Sequence, residues 1–526
     1  MSDLSFDQLH RLPSTMHPVL LSLDILPEIF THFLPDSSSA ERSQASLLAL
    51  ARTCKTFYEP AMDLLWADMG NRGINPLLGC VTRLQPLMYR VCGEVGADYQ
   101  SRCSSLFVGS LKIYTQSINF CSRGLEPLSE HEACQFLRHA SRVRSLRIRT
   151  DEHFHLLKNL PIETCVFPRL LQLYWYLHRN SGHFHLFLSP TLCHCSLNHC
   201  VLSVAHSDLR SIVTCCPVLD NLSIWATVYS SDDLLLLSET IRSFKRLKHL
   251  LCPLLDSAAW NHLSNLPTLR TVMNHEGPYK VILDRDNLTL ASFLNVTALC
   301  LHVNTAAGVI ALIQHSEYPS LKEFKLYIGI LHRTEAEELF RALSQCKACG
   351  TLEHIDIVSQ QPSDERPDNP VIRHFLCFKQ LQTMRLSVHD AIYFDNGLVD
   401  AMSSWPHIRS LELIDPCGGL HTITFRGLFT ALRWCPSLYN LRIYMDAVNI
   451  DIDPEAESFQ HTSLRTFHVG SSAVEDPRAV ARIISSMLPC VSEVAHRGSN
   501  LMWDEVNRQL KSLALLGSVP GAAHAT

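Results

Sequence analysis

The feature that most constrains the fold is a short apolar pattern that recurs along most of the chain. An apolar residue is followed three and five positions later by two more residues, which are apolar in nearly every copy, and this triplet occurs fifteen times between Val108 and His496. From Val143 onward, the first residues of successive triplets lie 22 to 31 residues apart. The triplets begin at Val108, Val143, Leu170, Leu192, Leu219, Leu247, Leu269, Val296, Leu321, Leu352, Leu381, Ile408, Leu438, Leu464 and Val491.

A repeat of this length predicts a solenoid, because a period of roughly 20 to 29 residues is typical of leucine-rich repeats. The second and third members of a triplet share one face of a short strand. Signals for helix starts lie between triplets: Ser129 with Glu132, Thr334 with Glu337, and Asp476 before Pro477. The predicted fold class is therefore α/β, a curved parallel sheet with helices on its convex side. An ordinary doubly wound α/β domain is the alternative, although no glycine-rich phosphate loop supports it.

Composition narrows the classes of partner. The chain has 45 basic and 51 acidic residues and a net charge of −6, which offers no electrostatic footprint for nucleic acid or for membrane lipid. The start of the chain has neither the basic segment nor the apolar run of a signal peptide. We expect a cytoplasmic and/or nuclear protein that binds neither nucleic acid nor membrane, with its 20 cysteines reduced.

The first 66 residues follow a different rule, that of short amphipathic helices. Asp24 can cap a helix whose apolar residues, from Ile25 to Phe33, form one stripe. Pro35 and the serines after it end this helix. A second apolar stripe begins after about Ala40, and a further helix follows near Pro60. Three short helices bury little apolar surface alone, which indicates that they need a partner to bury the rest.

Two stretches of this region, LLSLDILPEIFTHF and LLALARTCKTFYEPAMDLLW, resemble the F-box, and F-box before repeats is the order found in fungal F-box proteins with leucine-rich repeats. Ser22 stands where the family usually has proline. The resemblance implies a three-helix module that docks on a Skp-type adaptor, and through it a cullin, as the substrate-recognition subunit of an SCF-type ubiquitin ligase. The adaptor-binding residues that it implies are Leu21, Asp24, Ile25, Leu26, Ile29, Phe33, Leu50, Cys54, Phe57, Leu64 and Trp66.

The repeats would then hold the target protein on the exposed face of the sheet. Side chains alternate along a strand, so those two, four and six positions after the first residue of each triplet should point out of this face. Aromatic residues and arginines are typical of interface hot spots. The predicted target-binding residues are Arg147, Arg149, Tyr174, Tyr176, His194, Trp225, Tyr327, Arg385, Arg442 and Tyr444, with Lys325 beside them.

No catalytic or metal-binding motif stands out. Cysteine and histidine cluster between Cys193 and Cys200, and Cys346 and Cys349 form a single C-x-x-C, but a closed zinc site needs four converging ligands. We therefore predict no metal, no cofactor and no enzymatic activity. Two other classes remain open: a scaffold or inhibitor with no link to ubiquitin, whose first helices cap the solenoid, and an unrecognised thiol enzyme.

The expected domain organisation follows from these patterns. Residues 1–17 are a flexible lead, 18–66 the F-box-like helices, 67–105 a connector, 106–500 the solenoid, 501–516 a capping helix and 517–526 a frayed tail.

Overall fold

The computed structural model describes residues 26–32, 40–85, 125–160, 165–177, 182–228, 230–275, 290–361, 371–388, 397–414, 423–497 and 501–517. The chain divides into two compact units, Met1–Asn221 and Leu222–Thr526, here called unit 1 and unit 2.

Each of the fourteen triplets from Val143 onward forms a β-strand. Unit 1 contains β1 (Ser145–Ile148), β2 (Gln172–Trp175) and β3 (His194–Val201). Unit 2 contains β4 (Asn221–Val228, whose first residue ends unit 1), β5 (His249–Cys252), β6 (Thr271–Asn274), β7 (Ala298–Val303), β8 (Glu323–Ile330), β9 (His354–Gln361), β10 (Thr383–Ser387), β11 (Ser410–Ile414), β12 (Asn440–Ile443), β13 (Thr466–Gly470) and β14 (Val494–His496). Within each unit, neighbouring strands pair in chain order, and the registers show parallel pairing. The predicted parallel α/β repeat fold is confirmed.

The register of the strands brings the apolar members of successive triplets side by side. Leu146 of β1 is opposite Leu173 of β2, which is opposite Cys195 of β3, and all three side chains are buried. Leu411 and Leu441 are paired in the same way in unit 2. Burying such a side chain contributes about 1.5 to 3 kcal/mol, so the triplets supply the core of each repeat.

Helices occupy the segments between many of the strands. They are α1 (Leu26–Thr31), α2 (Ala40–Ala51), α3 (Lys55–Leu65), α4 (Asn75–Leu78), α5 (Glu130–Ala140), α6 (Leu202–Cys215), α7 (Ser231–Ile241), α8 (Ser257–Ser264), α9 (Ala307–Gln314), α10 (Arg333–Gln345), α11 (Gly397–Ser404), α12 (Phe425–Leu432), α13 (Pro477–Met487) and α14 (Leu501–Gly517). Short 3₁₀ helices take their place after β1, β2 and β9, at Phe154–Leu157, Phe184–Phe187 and Val371–Phe375.

Two of the three predicted helix starts are confirmed. Ser129 and Glu132 form a capping box at α5, and Asp476 caps α13 ahead of Pro477. The third prediction is wrong, because α10 begins at Arg333 and Thr334 lies inside its first turn. Strand β8 runs to Ile330, which leaves the chain only two residues before the helix.

The segment after α3 runs beside β1. Asp68 bridges Ser145 in parallel, and the Met69 amide donates to the Ser145 carbonyl at 3.1 Å. Residues 67–69 thus lie next to the first described strand. The triplet at Val108 lies outside the described residues.

Helix α14 closes the other end of the sheet in unit 2. Its apolar residues Trp503, Val506 and Leu510 are buried. The side-chain amide of Asn507 accepts from the Val494 amide at 2.8 Å and donates to the Val494 carbonyl at 2.9 Å. This amide satisfies backbone groups of β14 that a further strand would otherwise bond.

Candidate functional site

Helices α1, α2 and α3 pack together into the expected three-helix module, described over residues 26–32 and 40–65. Its core is a cluster of buried apolar side chains: Leu26, Phe30, Leu47, Ala51, Ala61 and Met62. The ring of Phe57 meets Phe30 edge to face, with 5.4 Å between the ring centroids. Apolar side chains from all three helices thus hold the module together.

Nine of the eleven predicted adaptor-binding residues fall into two groups. Leu21, Asp24, Ile25 and Phe33 lie outside the described residues. Ile29, Leu50, Phe57 and Leu64 are half-buried at the rim of the cluster, and Cys54 is half-buried as the N-cap of α3.

Leu26 is buried in the core of the module, with only 1% of it exposed. It packs in one cluster with side chains of α2 and α3. In this structure Leu26 therefore stabilises the module from within.

Trp66 packs toward the repeats. Its indole ring stacks on His139 of α5, with 4.6 Å between the ring centroids and 27° between the planes. The role of Trp66 in this structure is to join the module to the first repeat.

Two surface residues of the module were missed by the sequence analysis. Leu48 of α2 is 47% exposed and Tyr58 of α3 is 43% exposed. A signal for Leu48 was present: Leu47 and Leu48 are adjacent on a helix, about 100° apart, and cannot both face one core. Both side chains are apolar surface that a partner could cover.

Ion pairs and backbone hydrogen bonds attach the module to β1 within unit 1. Arg142 pairs with Glu59 and with Asp63 of α3, and Asp63 also accepts from Arg169 at 2.9 Å. The Arg144 and Ser145 amides both donate to the Ala67 carbonyl at 2.8 Å. The module and the first repeat are therefore positioned by directional bonds as well as by apolar contact.

The exposed face of unit 1 carries stacked rings and guanidinium groups. Arg147 lies over the ring of Tyr174 and Arg149 over that of Tyr176, each with its guanidinium carbon 5.3 Å from the ring centroid. Tyr174 is also 5.0 Å from the ring of His194. These predicted target-binding residues lie together, and each cation–π pair holds its tyrosine ring in place.

The exposed face of unit 2 begins with Trp225, whose side chain is 44% exposed. Its indole ring stacks on the buried His275, with 5.4 Å between centroids and 13° between planes. Farther along, Tyr327 stacks on His302 and donates to Asp356 at 2.9 Å. Burial and this hydrogen bond raise the pKa of Tyr327 to about 12, so its hydroxyl is protonated at neutral pH.

Charged residues form a row across six neighbouring strands of unit 2. Cα pairing places them side by side in the order Lys325, Asp356, Arg385, Glu412, Arg442 and His468. Lys325, Arg385 and Arg442 were predicted from the sequence to lie on this face, whereas Asp356, Glu412 and His468 were not. All six occupy the fourth position after a triplet's first residue, so the alternation of charge could have been found in the sequence.

Tyr444 is the exception among the predicted target-binding residues. It is 7% exposed, although its position in the triplet predicts an exposed ring. The ring is covered because it packs against Gly470 at the end of β13.

The described residues contain no group of three or more histidine, cysteine or acidic side chains that could hold a metal ion. Cys195 is buried beneath the sheet, and burial raises the pKa of its thiol well above the usual range. Cys193 donates instead to the Leu171 carbonyl at 3.2 Å. Among the residues that the structure describes, no helix is both long and apolar enough to cross a membrane.

Comparison with known proteins yields similarity at the level of structure only. No protein-family model and no curated protein matches the chain. Solved structures that are similar include the TLR13–ssRNA13 complex, at 15% identity and a TM-score of 0.33, covering 70% of this chain and 54% of that one. The yeast Rad7–Elc1 complex matches at 14% identity and a TM-score of 0.31, covering 61% and 79%. The Drosophila Toll–Spatzle complex matches at 11% identity and a TM-score of 0.35, covering 68% and 55%.

The matched part of this chain thus spans about half the length of the TLR13 and Toll chains. The fold is defined by the chain's own strands: the triplet at each strand and the parallel pairing in chain order are those of a leucine-rich-repeat solenoid.

Proposed function

We propose that this protein is the substrate-recognition subunit of an SCF-type cullin-RING ubiquitin ligase. The three-helix module docks on a Skp-type adaptor and, through it, on a cullin, while the exposed face of the repeats binds a target protein. The observation that carries the proposal is the apolar surface of the module, where Leu48 and Tyr58 are exposed and Ile29, Phe57 and Leu64 are only half-buried.

The attachment of the module to β1 supports this division of labour. Trp66, Asp63 and the Ala67 carbonyl connect the helices to the first repeat, which limits how far the two can move apart. The chain itself performs no chemistry in this scheme. It holds a target near the ubiquitin-transfer machinery, which raises the effective concentration of the reacting groups. Under this proposal the protein works in the cytoplasm, the nucleus or both.

A second function has its own structural support: a leucine-rich-repeat scaffold or inhibitor with no link to ubiquitin. Residues 67–69 cover the edge of β1 and Trp66 stacks on His139, which is what a terminal cap must do for a solenoid. A cap of this kind needs no adaptor.

Binding of a purified Skp-type adaptor distinguishes the two functions. We expect the full chain to retain the adaptor at micromolar concentration, and Leu48→Glu with Tyr58→Glu to weaken retention by more than about tenfold, because buried anchors of an interface typically contribute about 2 kcal/mol or more. Leu235→Glu is the matched control, since Leu235 is 57% exposed on α7, outside the module.

Wild-type protein that does not retain the adaptor would leave the scaffold as the better proposal. Equal retention by the double variant would show that the adaptor does not use this surface.

A further inference from the structure

A cleft of about 600 Å³ opens on the exposed face of unit 2, beside strands β10 to β14. Its charged lining is entirely basic and consists of Arg385, Arg442, His468, His496 and Arg497, and no described aspartate or glutamate lines it. Arg442 and His468 are Cα partners on neighbouring strands, and Arg385 lies two strands from Arg442. With strands about 4.8 Å apart, these side chains can converge on one group.

The positive charge of the cleft is only partly neutralised. Arg385 lies between Asp356 and Glu412, but its Nε is 3.9 Å and 3.8 Å from their carboxylates, too far for a good hydrogen bond. This Nε is buried and has no hydrogen-bond partner in the described structure. The side chains of Arg442 and Arg497 form no ion pair with any described residue.

The two histidines respond to this environment in different ways. Burial lowers the pKa of His468, and the positive charge of Arg442 lowers it further, against the opposing effect of Glu412. His496 has Asp504 as a partner, at 3.2 Å from its Nε2, while its buried Nδ1 has no hydrogen-bond partner among the described residues. Arg385, Arg442 and Arg497 give the cleft positive charge, which a bound anion would offset.

We propose that this cleft binds a phosphate monoester, with Arg442 and Arg497 as its main ligands and Arg385 and the imidazoles beside them. Guanidinium groups bind phosphate oxygens through paired, charge-assisted hydrogen bonds. The cleft falls within the roughly 300 to 1,000 Å³ of sites for organic ligands, so it has room for the group that carries the phosphate. Ile414 and Ala495 supply apolar lining for that group.

Two sources could present this chemistry: a phosphorylated side chain of the bound target, or a soluble phosphorylated metabolite. The first source rests on the proposed function, because it takes the exposed face as the target-binding face. The second is independent of it.

Fluorescence anisotropy on the full chain tests the proposal with two labelled peptide libraries, degenerate around a central phosphoserine or a central serine. Glucose 6-phosphate and phenyl phosphate, titrated by calorimetry, represent soluble phosphate monoesters. We expect binding of the phosphoserine library over the serine library if the source is a protein side chain. Selective binding of glucose 6-phosphate or phenyl phosphate would assign the cleft to a metabolite. Failure of all phosphate probes to bind would overturn the proposal.

Variants locate the binding in the cleft. Arg442→Gln and Arg497→Gln should each weaken binding about tenfold or more, because each removes hydrogen bonds to a charged group. Arg482→Gln removes the same charge from an exposed position on α13 and should leave binding unchanged. Ala495→Leu fills the cleft without altering charge and should also weaken binding. An equal effect of Arg482→Gln and Arg442→Gln would show that only net charge matters and would overturn the proposal.

Adaptor retention, measured on the same variants, separates this inference from the proposed function. The cleft variants should retain the adaptor as wild type does. Phosphate binding without adaptor retention would remove the ligase proposal and leave the cleft assigned to a phosphate ligand; the reverse result would remove the cleft alone.

Discussion

The ring of Tyr444 lies over the α-carbon of Gly470, so close that a β-carbon there would overlap the ring. Gly470 ends β13 with φ at +60°, in the left-handed region that side chains rarely adopt. Both properties require glycine at this position. The contact also explains why Tyr444, unlike Tyr174 and Tyr327, is buried and not part of the exposed face.

Gly470→Ala should therefore destabilise unit 2 severely. Left-handed backbone costs a side-chain-bearing residue about 1 to 2 kcal/mol, and displacing the Tyr444 ring adds about 1 to 3 kcal/mol. We expect the free energy of unfolding, measured in urea, to fall by about 3 kcal/mol.

Gly427→Ala is the control for Gly470→Ala. Gly427 lies in helix α12, and its nearest atom to a new β-carbon would be Thr424 Oγ1, at 3.8 Å. Alanine is favoured over glycine in helices, so this variant should be as stable as wild type or up to about 1 kcal/mol more stable. Similar losses for both variants would contradict the role of the tyrosine ring.

The strands could be predicted from the sequence because each triplet indicates a short strand whose apolar side chains are buried. An apolar side chain such as Leu146 or Leu411 must be buried, and alternation along the strand fixes its direction. The prediction of a cap at Thr334 was wrong because the neighbouring strand β8 extends almost to the helix. The contact of residues 67–69 with β1 was not predicted, because it depends on how the chain turns after α3.

The candidate site was only partly predictable for the same reason. An apolar stripe on α1 shows that Leu26 and Ile29 share a face, but not which of them meets α3. The row from Lys325 to His468 could have been found in the sequence, because each member lies four positions after the first residue of its triplet. Whether Arg385 and Arg442 find acidic partners depends on distances across strands, which the sequence does not contain.

Asp63→Asn should loosen the three-helix module from the first repeat. Asp63 accepts from Arg142 and Arg169, and Arg142 is largely buried, with 15% of its side chain exposed. Breaking hydrogen bonds to a charged group should cost about 1 to 3 kcal/mol. Hydrogen exchange should quicken at the Arg144 and Ser145 amides, which bond to Ala67.

An exposed ion pair supplies the comparison for Asp63→Asn. Glu493 pairs with Lys511 on the surface, where both side chains are more than half exposed. Glu493→Gln should change stability little, because exposed pairs contribute little. Unchanged exchange at Arg144 and Ser145 in Asp63→Asn would mean that the backbone bonds hold the module without the ion pairs.

Glu132 should make unit 1 sensitive to acid. The ion pair with Arg83 and the hydrogen bond from the Ser129 amide lower the pKa of this carboxyl from 4.5 to about 2. Since the folded pKa lies below the unfolded one, the stabilisation is complete above about pH 4.5 and is lost as the pH falls toward 2. We expect Glu132→Gln to be less stable than wild type at neutral pH, with the difference shrinking over this window.

Unfolding of both proteins at a series of pH values checks this expectation for Glu132. Ser129→Ala serves as a second variant, because it removes the hydroxyl of the capping box and keeps the carboxylate. It should lose about 1 kcal/mol at neutral pH and retain most of the acid response. A constant difference between wild type and Glu132→Gln from pH 5 to pH 2 would exclude Glu132 as the acid-sensitive group.

Trp225 should be an anchor for the target protein. Its side chain is 44% exposed, yet stacking on His275 fixes the orientation of the ring before any partner binds. A large, pre-positioned aromatic side chain loses little conformational entropy on binding and commonly contributes about 2 kcal/mol or more to an interface. We expect Trp225→Ala to weaken target capture, and its combination with Tyr174→Ala and Tyr176→Ala to abolish it.

Affinity purification with mass spectrometry, with Trp434→Ala as the matched control, measures this effect. Trp434 is 56% exposed, but it follows helix α12 and lies outside the strands, so its loss should leave the recovered partners unchanged. Adaptor retention and melting temperature should stay near wild type in all variants, because Trp225 contributes little to the core. Recovery of the same partners by the triple variant and by wild type would show that the target does not bind this face.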